Sequence, residues 1–410
     1  MLRGQARGRM MAGREKERII GLERNVFWTG VVSFFMDASS EMVYPLVPIF
    51  LANVLGVEKS LIGLIEGVAE ATASLLKVVS GRISDKIGRR KGLMAAGYGL
   101  AVLSRPFIAT ASLWQQVMGA RFLDRFGKGV RTAPRDAIIA ESVDQAHLGR
   151  AFGFHRGMDT LGAVVGPLCA LVVLSYFSKA YRAVFWLSMI PGACAVAVIF
   201  CFVREKRGAT DTGKKIMRPG FGPVILDWRF RLFVVISVVF GLGNSSDAFL
   251  ILRAEDSGIA ASMIPLVYLL FNLVYAMVSG PAGILADRFG KKRLILVGFL
   301  LFSALYYGFA RVSGPAGIWW LFAAYGLFMG MSEGVGKAFV ATVIPPQAKA
   351  TAFGIYHAAV GLAALPASVV AGWLWEERGP AAPFYFGAAA AAVAAAMFIG
   401  LIVVDRRKER

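Results

Sequence analysis

Two acids stand where acids are expensive. Asp37 lies in Phe34-Phe-Met-Asp37-Ala-Ser-Ser-Glu41 and Asp247 in Asn244-Ser-Ser-Asp247-Ala-Phe, each within a long apolar run and each beside small hydroxyl side chains. They are 210 positions apart in a chain of 410 residues. A charge at the centre of a membrane helix costs roughly 2.5–3.5 kcal/mol on insertion scales, so it needs a function or a partner. A carboxyl in an apolar surround can take up and release a proton near neutral pH, which suits proton coupling. A static ion pair and a helix-end cap are the other roles open to Asp37 and Asp247. Glu41 lies one helical turn from Asp37 and could share its role.

A second charged stretch is cationic. Asp124, Lys128, Arg131 and Arg135 fall at i, i+4, i+7 and i+11, a single helical stripe, with Arg121 and Arg125 adjoining it. Arg131 and Arg135 could anchor a cytoplasmic helix end, whereas Arg121 and Arg125 sit deeper and need partners. His155, Arg156, Asp159, Glu333, Lys337 and His357 are the groups available. If Asp159 and Glu333 neutralise the arginines the site is balanced; if they do not, it is cationic and suits an anionic substrate. Glu66, Glu70 and Lys77 share one face of their own helix and read as an internal bridge.

His155 and His357 follow Ala-Phe-Gly at 151–153 and 352–354 and could be proton relays or metal ligands. Sulfur and imidazole donors are sparse elsewhere, so no metal site is assigned. There is no Gly-rich phosphate loop followed by Lys-Ser or Lys-Thr, and no Ser-His-acid cluster at a recognised spacing, so neither an enzyme nor a cofactor is expected.

The elements that must position these residues are membrane helices. Hydrophobic residues make up 57% of the chain and charged residues 17%, too apolar a balance for a soluble domain of this length. The formal net charge of +19 gathers in loops and at the ends, which argues for a bilayer rather than a nucleic acid as the partner. Cys169, Cys194 and Cys201 lie in apolar runs without disulfide or zinc spacing. Twelve spans are expected, at 26–55, 60–82, 92–110, 113–140, 149–175, 181–203, 229–252, 261–285, 293–311, 316–343, 350–373 and 381–404.

Residues 1–25 form a basic tail with no signal-peptide core, residues 204–228 are a Gly- and Pro-rich linker, and 405–410 are a second basic tail. The lobes they delimit are 26–203 and 229–404. Even-numbered connections and the C-terminal tail carry the Lys and Arg residues, so both termini are expected in the cytoplasm, with the chain in the inner or plasma membrane.

A repeat joins the two halves. Gly81-Arg-Ile-Ser-Asp85-Lys-Ile-Gly88-Arg89-Arg90-Lys91 recurs as Gly283-Ile-Leu-Ala-Asp287-Arg-Phe-Gly290-Lys291-Lys292-Arg293, with Gly, Asp and Gly at identical spacing and an offset of 202 positions. Duplicated half-chains of this kind mark two-lobed transporters. These stretches resemble the loop between the second and third helices of each lobe in the major facilitator superfamily. In the fourth span, Arg121-Phe-Leu-Asp124-Arg125-Phe-Gly127 is similar to that family's Arg-x-x-Gln-Gly-x-Gly motif. Asp124 stands in place of Gln and Arg125 in place of Gly. In the fifth, Gly153, Gly162, Gly166 and Pro167 are spaced like its antiporter motif, although Ala170-Leu171 replaces the terminal Gly-Gly.

The resemblance implies an all-α, two-lobed fold of twelve helices that rocks about a midplane site, and a latching role for Asp85 in its loop. It is closest to the proton-coupled drug and metabolite exporters. A monomer that exchanges a small-molecule substrate for protons is therefore the first expectation. Proton-coupled uptake of a small organic anion or metabolite is the second, and a non-transporting membrane sensor or assembly factor the third.

Overall fold

The computed structural model describes residues 18–87, 90–143, 148–177, 179–204, 227–343 and 349–409. Side chains at 18, 78, 81–87, 148–150, 279–280, 283–284, 286–287, 333–334, 337–338, 341–342, 349–354 and 406–409 are outside that description. Gly88 and Arg89, most of the linker, and the side chains at Gly81, Asp85, Gly283, Asp287 and Glu333 therefore lie outside the described residues.

A two-residue antiparallel pair, β1 (Arg18–Ile19) with β2 (Leu22–Glu23), precedes the helices. The first expected span is α1 (Arg24–Val43), a 3-10 turn at Tyr44–Leu46, and α2 (Val47–Asn53). Pro45 and Pro48 each withdraw a backbone donor, and the rod changes pitch there. Next come α3 (Lys59–Ile87), α4 (Arg90–Thr110), α5 (Trp114–Ser142) and α6 (Leu148–Tyr176). The short α7 (Tyr181–Leu187) and α8 (Met189–Phe202) complete the first half.

The second half runs through α9 (Trp228–Gly243), α10 (Ala248–Asp256), α11 (Ile264–Phe289), α12 (Lys291–Arg311), α13 (Pro315–Val343), α14 (Lys349–Arg378) and α15 (Ala382–Glu409). Helical segments thus fall in each of the expected spans, and eight, as described, are long and apolar enough to cross a membrane. The charged α5 is not among the eight.

Several boundaries differ from expectation. The seventh span is not continuous, because α9 stops at Gly243 and α10 begins only at Ala248, leaving Asn244–Asp247 as a break. The last helix runs past 404 to Glu409. Asp405, fully buried, accepts from Lys292 and pairs with Arg229 at 2.5 Å, so the starts of α9 and α12 are tied to the end of α15. The whole connection between α11 and α12 is Gly290, whose φ of +91° is left-handed and favours glycine.

Each half packs on itself, with Val32, Met36, Tyr98 and Ile199 in one core and Phe230, Phe233, Phe339 and Phe398 in the other. The largest core crosses between halves, joining Phe50, Ile62 and Ile65 to Phe249, Trp375 and Phe384. Small residues allow the contact: a Cβ at Gly63 would meet the Ser368 carbonyl oxygen at 2.1 Å, and one at Gly372 the Lys59 carbonyl oxygen at 2.5 Å. These contacts lie toward the ends of the helices opposite the basic loops, here called the far end. There Asn53 donates to Glu255 Oε1 at 2.5 Å, and the Lys59 backbone N–H, at the start of α3, donates to Glu376 Oε1 at 2.6 Å.

The second bond is charge-assisted and joins the halves across the far end. Glu376→Ala should therefore favour separation there by about 1.5 kcal/mol, roughly a tenfold shift. A cysteine placed at the buried Ile62, in a chain whose three native cysteines are serine, should react correspondingly faster with an impermeant maleimide. An unchanged rate would show that this bond does not hold the far end closed.

Candidate functional site

The deepest charges form one network among α3, α4 and α5. Arg121, 2% exposed, donates to Glu66 from Nε at 2.9 Å and from Nη2 at 2.6 Å, a two-pronged contact with both partners buried. Arg125 pairs with Glu70 at 2.9 Å. Asp124 lies between two guanidinium groups, 3.3 Å from Arg105 and 3.6 Å from Arg121. Arg105 also donates to Ser40 Oγ at 3.0 Å, which ties the network to α1. The ring of Tyr44, at the break after α1, lies 5.3 Å from the Arg121 guanidinium and 5.4 Å from that of Arg125.

This arrangement corrects two expectations. The arginines are neutralised by Glu66, Glu70 and Asp124, whereas Asp159 lies elsewhere and the Glu333 side chain is outside the described residues. Glu66 and Glu70, expected to bridge within their own helix, both reach across to α5. Asp124 and Arg125, the two departures from the family pattern, each have a physical reason here: one matches Arg105 and the other Glu70. Arg105 itself was not singled out in the sequence. The signal was present, because it is the one charge between Leu93 and Thr110 in an apolar run. Of the remaining stripe, Arg131 stacks on Tyr98 at 4.4 Å and Arg135 pairs with the neighbouring Asp136 at 2.9 Å.

Asp37 and Asp159 form a second cluster, where α1 meets α6. Ser33, one turn before Asp37, donates to Asp159, and the Asp37 carboxyl lies close to that of Asp159. Two carboxyls so placed can share one proton, the protonated one donating to the other, because an ionised carboxylate is an acceptor only. Arg156 lies 3.9 Å from Asp159 and also donates to Tyr275 in the other half. His155 is buried nearby, with Nε2 unpartnered.

The fifth-span glycines bring the carboxyls together. A Cβ at Gly162 would meet the Phe34 carbonyl oxygen at 2.4 Å and Asp37 Cβ at 3.0 Å, while one at Gly166 would meet the Ala38 carbonyl oxygen at 2.5 Å and Glu41 Cβ at 2.9 Å. No larger residue would let α6 approach α1 so closely. Gly153 faces open space and takes no part, and Pro167 lies inside α6 without ending it.

Asp247 occupies the break between α9 and α10 and accepts from the Tyr325 hydroxyl at 3.0 Å. Its side chain does not cap α10, which removes the helix-cap reading; Asp37 lies within α1, far from either end. Glu41 lies within electrostatic reach of Lys128, Arg125 and Asp247, and Asp247 within reach of Arg125, near Tyr44 and Tyr268, whose rings are 5.7 Å apart. Contributions from both halves thus meet at this point. His357 stands beside Tyr356 on α14, in the other half from His155. No group of three metal-ligating side chains occurs among the described residues. Of the loop residues, Arg90 pairs with Glu141 and Lys291 opens α12. A separate cleft of about 650 Å³ at the far end surrounds Asn53 and Glu255, away from the buried charges.

The Major Facilitator Superfamily model matches residues 29–252 and 232–410. An MFS-type transporter of Methanocaldococcus jannaschii is 33% identical over 97% of this chain and 100% of its own length. A multi-drug resistance efflux pump PmrA homolog of Lactococcus lactis is 25% identical, covering 73% of this chain and 75% of the relative. The crystal structure of the nucleoside transporter NupG superposes with a TM-score of 0.77 at 14% identity, covering 93% of this chain and 99% of that one, which shows the fold. With the family pattern matched along nearly the whole chain and the same two-lobed helical architecture, this chain belongs to the Major Facilitator Superfamily of transporters.

Proposed function

We propose that the protein is a proton-coupled exporter, a monomer of the cytoplasmic membrane with both termini in the cytoplasm, which exchanges a small molecule for protons. The Asp37–Asp159 carboxyl pair carries this reading. It lies at the contact between α1 and α6, where the two carboxyls can share a proton, a few residues from Glu41 and the charges shared by the two halves. Uptake of the proton by this pair on one side and its release on the other would make rocking of the lobes depend on proton movement. Similarity to relatives named as multi-drug resistance efflux pumps supports export. The alternative of organic-anion uptake drew on unpaired arginines, and Arg121 and Arg125 are paired.

The test is direction of coupling in proteoliposomes. An antiporter accumulates substrate when the lumen is acid, because protons leaving drive substrate in; a symporter accumulates it when the exterior is acid. A panel of aromatic amines, carboxylates and zwitterions, followed by a lumenal pH dye, should give acid-lumen accumulation. Accumulation only with an acid exterior would overturn export by exchange.

A further inference from the structure

We infer that the ligand of the central site is an aromatic zwitterion, its anionic group held by Lys128 beside Arg125 and its cationic group by Glu41 opposite Asp247. This rests on the transporter reading above, though not on direction or proton coupling. The argument begins with the charges left after pairing. Arg105, Arg121 and Arg125 are matched by Asp124, Glu66 and Glu70. Lys128 and Glu41 are not: among the described residues neither forms an ion pair, and Glu41 Oε2 is buried without a hydrogen-bond partner.

The two are within electrostatic reach of one another yet remain apart. The close approach of α6 at Gly166 fixes the Glu41 backbone and Cβ, while Lys128 belongs to the α5 helix that the arginine network clamps. A gap between opposite charges on clamped helices suits a molecule that carries both signs. A simple cation would leave Lys128 unmatched, and a simple anion would leave two acids, Glu41 and Asp247, unmatched. A zwitterion satisfies the lysine and one acid together, and the buried Arg125 Nε, also unpartnered, is a second donor for its anionic group. The Tyr44 and Tyr268 rings, in tilted contact across the two halves, supply an aromatic surface beside these charges.

Equilibrium binding to the full chain in detergent tests this with three probes of one body: phenylalanine, phenethylamine and 3-phenylpropanoate. Phenylalanine should bind at least about tenfold more tightly than either singly charged probe. Lys128→Met should erase its advantage over phenethylamine but keep that over 3-phenylpropanoate, and Glu41→Gln should do the reverse. Ratios between probes on one preparation cancel any loss of folded protein. Failure of phenylalanine to bind, tighter binding of a singly charged probe, or equal loss for all three probes in both variants would overturn the inference. Because no gradient is imposed, such a result leaves proton exchange to be decided separately, by the acid-lumen experiment.

Discussion

Arg121→Met is expected to lose roughly 3–5 kcal/mol of stability, because it would leave the Glu66 carboxylate buried and without its partner. Both prongs of the contact are short, and neither side chain is more than 2% exposed, so water cannot stand in for the guanidinium. The measurement is a melting curve of detergent-purified protein, followed by size-exclusion recovery after heating. Arg121→Met combined with Glu66→Met should recover most of the loss, since replacing both members of a buried pair by apolar groups removes the stranded charge as well as the bond. Arg125→Met should cost less, because its partner Glu70 has a side chain 37% exposed and can be solvated. A single Arg121→Met variant that melts with the parent protein would show that the pair does not hold α3 to α5.

Asp37→Asn is expected to lower gradient-driven accumulation by more than about tenfold while leaving substrate exchange within about twofold. Exchange needs binding and rocking of the lobes, but no net proton movement. Asp159→Asn should behave alike, because the shared proton needs both carboxyls. Asp247→Asn should instead weaken exchange and driven flux together, as a change at the site between the halves rather than at the proton. Flux is normalised to folded yield in each case. Full driven flux in both Asp37→Asn and Asp159→Asn would remove the coupling role from this pair. Loss of exchange as well, at normal yield, would make the two carboxyls part of the substrate site.

Much of this was legible in the sequence. The 202-residue repeat, the apolar spans and the spacing of Gly162 and Gly166 pointed to the fold, and the cost of a charge in lipid drew attention to Asp37, Asp247, Arg121 and Arg125. Spacing along one helix determines which residues share its face, so the α5 stripe could be read directly. It says nothing of how that helix is rotated against its neighbours. Only tertiary packing decided that Glu66 and Glu70 reach the arginines of α5, that Arg105 reaches Asp124, and that Asp159 comes beside Asp37. The physical reason is the same in each case. A buried charge takes the nearest opposite charge or proton in space, and what is nearest depends on how closely two helices approach. At α1 and α6 that approach was encoded by two glycines whose spacing was visible, but whose partners, the Phe34 and Ala38 carbonyl oxygens, appear only once the helices are packed.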